Sequence, residues 1–319
     1  MNMNQSSVKP ADEELLKIAI SNLKERGFIE YDGEYGTEVV TFIPFVAWLN
    51  REGLLENRRV VTFQGMRPYY FFLRDSQFEA KPQTRRVRLE IKRKWPTNSI
   101  HSATRQRWHI CPDYRSHFKN IGRSFERPIL FIQNKFTVEW NTGPINYLPI
   151  FAIERLLRLS LNRFQVIYSR PRVTSDGTGY TGDITRICEY PDLQRVRSFD
   201  NTIVLEEMCV DAGLDYNQTK LEILAKSHLF VSVQGGGASV LAYFGNSLML
   251  VLHREGREFP HAYASGPYKY LADPPPLLLL ARDSDQLEDG IKIVAAASVE
   301  DGKPILAKHT EPLVEALRM

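Results

Sequence analysis

The chain has 319 residues, 43% of them apolar and 25% charged, with a formal net charge of +3. This is the composition of an ordinary globular protein of one large or two medium domains. So small a charge does not by itself demand a nucleic-acid partner; no DNA partner is expected, and RNA is disfavoured because no RNA-binding motif appears. The cysteines (Cys111, Cys188 and Cys209) are odd in number, widely spaced and without a CxxC pair, which argues against a disulfide framework or zinc site and for a reducing compartment.

The N-terminal stretch MNMNQSSVKPADEE has no basic run followed by an apolar core, and residues 1–10 read as a loose tail. Ala11 to Arg26 has helical spacing, with Leu15, Ile18, Ala19 and Leu23 on one face and Gly27 as the stop. A strand at Phe28–Tyr31, the turn DGEYG, a helix over Thr37–Asn50 and a strand at Arg59–Phe63 then form a strand–loop–helix–strand unit, the mark of a parallel α/β layer. RRVRLEIKRK, residues 85–94, alternates as a half-buried strand with a basic outer face. Residues 95–124 are poorly periodic, and the inter-domain region falls near Ile121–Arg127.

A second α/β run follows. Pro128–Gln133 reads as a buried strand, Leu148–Leu161 as a helix, Phe164–Tyr168 and Asn201–Leu205 as strands. Asn217–Ala225 is a helix, His228–Val233 a strand, Ala238–Phe244 a helix, Ser247–Leu252 a strand and Glu311–Arg318 a terminal helix. The longest apolar stretches, Leu248–Leu252 and Leu277–Ala281, are too short to span a bilayer. A cytoplasmic protein able to touch a membrane surface is expected. Ligands of such sheets sit beyond the carboxyl ends of strands, at helix N-termini.

The sharpest motif is SHLFVSVQGGGASVLAYFG, Ser227 to Gly245. A buried strand runs into Gly235, Gly236 and Gly237, and a helix begins. Glycines turn tightly and let an anion approach backbone amides, and the helix start offers N–H groups and the positive end of the dipole. Ser239 adds a hydroxyl. The arrangement suits a diphosphate; equally, it is what a plain tight strand–helix turn needs. No GK[ST] follows, so it is not a P-loop, and it does not fit the GxGxxG fingerprint.

LAKSHLFVSVQGGGASVLAYFGNSLMLVL resembles the C-terminal segment of GT-B glycosyltransferases, closest to the heptosyltransferase-like ones. Those enzymes open with a strand, a glycine loop, an acid and a helix carrying a proline; Gly36-Thr37-Glu38-Val39-Val40-Thr41-Phe42-Ile43-Pro44 stands at that place. The family's acid is aspartate; here it is Glu38, one methylene longer. The resemblance covers roughly residues 28–65 and 128–255, and 66–124 match nothing in it. It implies a GT-B fold: an acceptor-side Rossmann-like domain over 1–124 and a nucleotide-sugar-binding one over 125–319, facing across a cleft, with the last helix packing back on the first domain. It further implies transfer of one sugar from a nucleoside-diphosphate sugar, a UDP-sugar slightly preferred, to a glycan or glycolipid, with inversion and no metal or other cofactor.

An inverting transfer needs a base for the acceptor hydroxyl and positive charge on the departing diphosphate. Glu38, at a helix start and expected to face the cleft, is the first candidate base; it would equally serve as a helix cap. Glu34 and Asp32 are the alternatives in the same loop. Lys135 and Arg170 follow strands and have the charge to hold phosphate, with Arg254 a weaker third. Glu207 and Glu255 are candidates for the donor nucleoside, as is Glu258.

Tyr69 (or Tyr70) and Trp108 are candidates for the acceptor side, because aromatic rings stack on sugars, and Asp32 is a third. The basic residues of 85–94, with Arg105, Arg107, Arg115, Lys119 and Arg123, offer a face for an anionic glycan, a lipid phosphate or a membrane surface, or simply a solvated one. Asp283-Ser284-Asp285 is a literal DxD but reads better as a helix cap, which disfavours a metal-dependent GT-A enzyme. His101, His109 and His117 recur at eight-residue spacing without a metal-site pattern and read as surface or acceptor-loop residues. No GxSxG elbow occurs. Two other readings stay open: a polysaccharide pyruvyltransferase-like enzyme on a similar architecture, and a non-catalytic glycan- or RNA-binding module with a structural glycine turn.

Overall fold

The structure is a computed structural model that describes residues 10–82, 85, 95–96, 106–138, 143–170, 188–255 and 266–318. Of the basic strand expected over 85–94, only Arg85 is among them; His101, Arg105 and Glu258 also lie outside.

Helix α1 (Pro10–Arg26) ends where Gly27 turns back at φ +72°. Strand β1 (Phe28–Glu30) leads to a composite helix: α2 (Tyr35–Thr37), a π turn (Glu38–Phe42) and α3 (Ile43–Arg51). Strands β2 (Arg59–Phe63) and β3 (Phe78–Lys81) complete a parallel three-stranded sheet of order β1-β2-β3. Strand β3 was not expected, because FEAK is exposed at two of its four positions and carries no apolar run. A short helix, α4 (Tyr114–Phe118), lies between the halves.

The second half contains β4 (Ile129–Gln133), α5 (Ile150–Ser160), β5 (Gln165–Ser169), α6 (Asp192–Val196), β6 (Thr202–Val204), α7 (Leu205–Ala212), α8 (Tyr216–Lys226), β7 (Ser227–Val233), α9 (Gly236–Leu241), β8 (Leu248–Leu252), β9 (Leu277–Ala281) and α10 (Ser284–Ala296). Strands β4 to β9 form one six-stranded parallel sheet of order β6-β5-β4-β7-β8-β9. Counted within the sheet this is 3-2-1-4-5-6, the order of a doubly wound Rossmann sheet. Its strands are buried on both faces, which is why they read as unbroken aliphatic runs. Asp283 caps α10 by accepting the Gln286 amide at 2.8 Å, so the literal DxD is a helix start.

Period-two alternation splits the core. Leu130, Ile132, Leu229 and Leu250 point to a cluster with α5 and α10. Ile129, Phe131, Phe230 and Met249 point to a cluster that continues through α8 and α9 into Phe42, Trp48, Tyr69 and Leu16 of the first half. The two halves thus share one apolar cluster. The last helix, α11 (Glu311–Leu317), does not return to the first half: Val314 and Leu317 pack in the cluster of β9 and α10. Among the described residues no helix is long and apolar enough to cross a membrane.

Candidate functional site

In a 3-2-1-4-5-6 sheet the crevice opens at the carboxyl ends of the two central strands, where the connections turn to opposite sides. Here these are β4 and β7. Strand β4 ends in Gln133-Asn134-Lys135 and β7 in Gln234-Gly235-Gly236-Gly237. The structure brings together two features expected separately: Lys135 and the glycine turn. The Lys135 ammonium lies 3.3 Å from where a Cβ on Gly235 would stand and donates to Gln234 Oε1 at 3.4 Å.

The glycines meet different demands. Gly235 has φ +139°, which a side chain rarely tolerates. Gly236 lies against the other half: its Cβ position is 3.0 Å from Tyr35 Cδ1 and 3.2 Å from Gly36 Cα. Gly237 leaves room for Gln133, whose Nε2 would be 1.6 Å from a Cβ. The first-turn amides of α9 have no acceptors within their own helix. Ser239 is buried, with its hydroxyl 3.3 Å from Tyr268 OH.

Glu38 is not presented to a cleft. It has no exposed surface. Oε1 accepts from the Thr62 hydroxyl and from Tyr70 OH at 2.7 Å, and Oε2 meets Arg85 Nη2 at 2.5 Å. Burial first, and Glu38 second, push the Tyr70 phenol well above its ordinary range, keeping it a donor. Arg85 also donates to Gly33 O at 2.9 Å and lies 4.0 Å from the Phe63 ring centroid. The carboxylate thus ties the loop after β1 to the first-half core. Glu34 and Asp32, half-buried in that loop, keep partial exposure.

Arg170 is also committed elsewhere. Its Nη1 pairs with Asp192 at 2.7 Å and donates to Tyr190 O, and Nη2 donates to Cys188 O. Asp192 accepts from Tyr168 OH and the Leu193 amide as well. The guanidinium is thus held between the Asp192 carboxylate and the carbonyls of Cys188 and Tyr190. Beside it lies an open depression of about 730 Å3 lined by Arg170, Cys188, Glu189, Tyr190, Leu193 and Arg197, a size that suits a small ligand.

Glu207 is half-buried and pairs with Arg197 near the surface. Its neighbour Glu206 is the buried carboxylate: Oε1 accepts from Ser169 Oγ at 2.8 Å and Tyr216 OH at 3.2 Å. Burial raises its pKa, opposed in part by the Ser169 hydrogen bond. Helix α7 starts directly after β6, and that fixed which of two adjacent glutamates faces inward; nothing in the local sequence marks it. Glu255 is exposed, and its carbonyl accepts from Asn146.

Tyr69 and Trp108 are each 1% exposed and cannot stack on a sugar. Tyr69 is a strut between the halves, with its hydroxyl 2.7 Å from Tyr35 OH and 3.4 Å from Asn217 Oδ1. His109 is buried, not a surface residue. Among the described residues no group of His, Cys, Asp or Glu is placed to hold a metal ion.

Comparison of the chain with protein-family models, curated proteins and solved structures gives no match. The class that fold and site define is therefore a mixed α/β protein with a Rossmann-ordered parallel sheet and a lysine over a glycine turn at its switch point.

Proposed function

We propose that this chain is a GT-B glycosyltransferase that moves one sugar from a nucleoside-diphosphate sugar to a glycan or glycolipid, with inversion and without a metal. One observation carries the reading: the Lys135 ammonium stands over Gly235 at the switch point of the sheet. A cation beside first-turn amides suits the charge that develops on a departing diphosphate.

In this proposal Lys135 and the amides of Gly235–Gly237 hold the phosphates. The nucleoside lies toward the depression at the carboxyl end of β5. Glu38, enclosed by three donors, holds the loop, and the base is Glu34 or Asp32, which keep partial exposure.

The test is thermal stability of the full chain with UDP, GDP and CMP, each with and without EDTA. Stabilisation by a nucleoside diphosphate that survives EDTA and is lost in Lys135→Ala supports the reading. No response to any of them leaves the glycine turn as structure alone.

A further inference from the structure

Away from the glycine turn, one cysteine has a base beside it. Cys111 and His109 lie in the segment before α4, which is tied to α3 where the Ile110 amide donates to Pro44 O at 3.1 Å. His109 Nε2 stands 2.9 Å from Val40 O. A carbonyl only accepts, so Nε2 carries the hydrogen of the neutral ring and Nδ1 keeps its lone pair. That Nδ1 faces the Cys111 sulfur at 3.7 Å. The Tyr270 ring packs edge-on against the imidazole, with centroids 5.3 Å apart. Groups other than the thiol therefore fix the tautomer and orientation of the ring, as a base beside a nucleophile requires.

The Cys111 side chain is half-buried, and its S–H donates to Tyr270 O at 3.2 Å. The resting form is thus the thiol. Burial pushes the Tyr114 phenol well above its ordinary range, with Tyr69 and then Cys111 adding to the rise. Tyr114 stays protonated, which leaves His109 to take a proton from the sulfur.

The other two cysteines differ. Cys209 is buried, and burial pushes its thiol up to about 11. Cys188 is half-buried as Cys111 is, but among the described residues no histidine is hydrogen-bonded to its thiol.

We propose that Cys111 and His109 form a nucleophile–base pair that reacts with small disulfides, making Cys111 a site of reversible thiolation. The Cys111 proton passes to His109 Nδ1 as the sulfur attacks one sulfur of the disulfide. A new S–S bond forms and the old one breaks. The departing thiolate then takes the proton from Nδ1. Cys111 is oxidised and the departing sulfur is reduced, so the disulfide itself is the oxidant. The adduct has no S–H to give to Tyr270 O, and that bond is lost. None of this depends on the function proposed above.

The test treats the full chain with hydroxyethyl disulfide and follows the adduct on each cysteine by peptide mass spectrometry. At neutral pH Cys111 should acquire it about a hundredfold faster than Cys188, the low end of what a positioned base contributes. His109→Gln keeps an N–H for Val40 O and supplies no base, so that advantage should vanish. In the unaltered chain the rate at Cys111 should level off below the ordinary thiol pKa of about 8.5, because the imidazole takes the proton.

A rate at Cys111 no higher than that at Cys188 overturns the pairing, as does a rate that keeps climbing through the ordinary thiol pKa. So does a His109→Gln chain that is folded, by its melting temperature, and reacts as fast as the unaltered one. If His109→Gln does not fold, the pH profile of the unaltered chain decides.

Discussion

Glu38 and Arg85 meet at 2.5 Å with neither side chain exposed to solvent. Removing one partner of such a pair strands the other charge, at a cost of about 3–5 kcal/mol. Glu38→Gln and Arg85→Met should therefore each lower the urea midpoint strongly. The double variant should lose less than the two singles combined, since it leaves no unpaired charge. Additive losses would mean that the pair is not coupled.

Lys135 is half-buried over the glycine turn, and its ammonium donates to Gln234 Oε1. Lys135→Ala should leave a folded protein with a single urea transition, yet abolish stabilisation by nucleoside diphosphates. Gly235→Ala should fail differently, since it puts a side chain on a backbone at φ +139° and crowds the Lys135 ammonium at 3.3 Å. It should unfold earlier with or without ligand, by about 1–3 kcal/mol. Urea titrations with and without UDP separate the two.

Glu206 has a pKa raised by burial. A carboxyl raised in the folded state contributes stability that is present below the unfolded pKa of about 4.3 and lost as pH rises through the folded value. Glu206→Gln removes that loss. The variant should melt above the wild type at pH 8 and converge with it below about pH 4. A constant offset across the range would count against the buried charge as cause.

His228 has a pKa lowered by burial and then by Arg115. Its Nδ1–H donates to Asn246 O at 3.0 Å, and Nε2 faces the Arg115 guanidinium at 3.4 Å. Protonation would put a second positive charge against Arg115. A depressed histidine contributes stability above the unfolded pKa, about 6.5, and loses it as pH falls through the folded value. His228→Gln should flatten the fall in melting temperature between about pH 6.5 and 5, whereas an unchanged slope would assign that fall elsewhere.

Arg115 crosses between the halves, donating to the carbonyls of Ala225, Ser227 and Phe244 at 2.8–3.2 Å. Burial lowers its pKa to about 10. Together with the shared apolar cluster this predicts one unfolding transition for both halves. Arg115→Leu should lower that single transition; two transitions in wild-type calorimetry would show that the halves unfold separately.

The sequence by itself determined the local elements that periodicity can encode. Apolar runs marked β4, β7 and β8, which are buried on both faces, and Gly27 and Asp283 ended and began helices where turn and cap chemistry requires. It also marked the glycine turn and Lys135, because a cation and glycines after strand ends can be read from order along the chain. Tertiary structure alone decided which polar groups those elements enclose. Glu38 met Arg85, forty-seven residues away; Glu206 instead of Glu207 turned inward; Arg170 went to Asp192. The physical reason is that charge and hydrogen-bond partners come from separate elements, and one residue of helix phase reverses which side chain is buried. Pro44 was plain in the sequence, but only the packed structure brought the Tyr243 hydroxyl to Val39 O and the His109 ring to Val40 O.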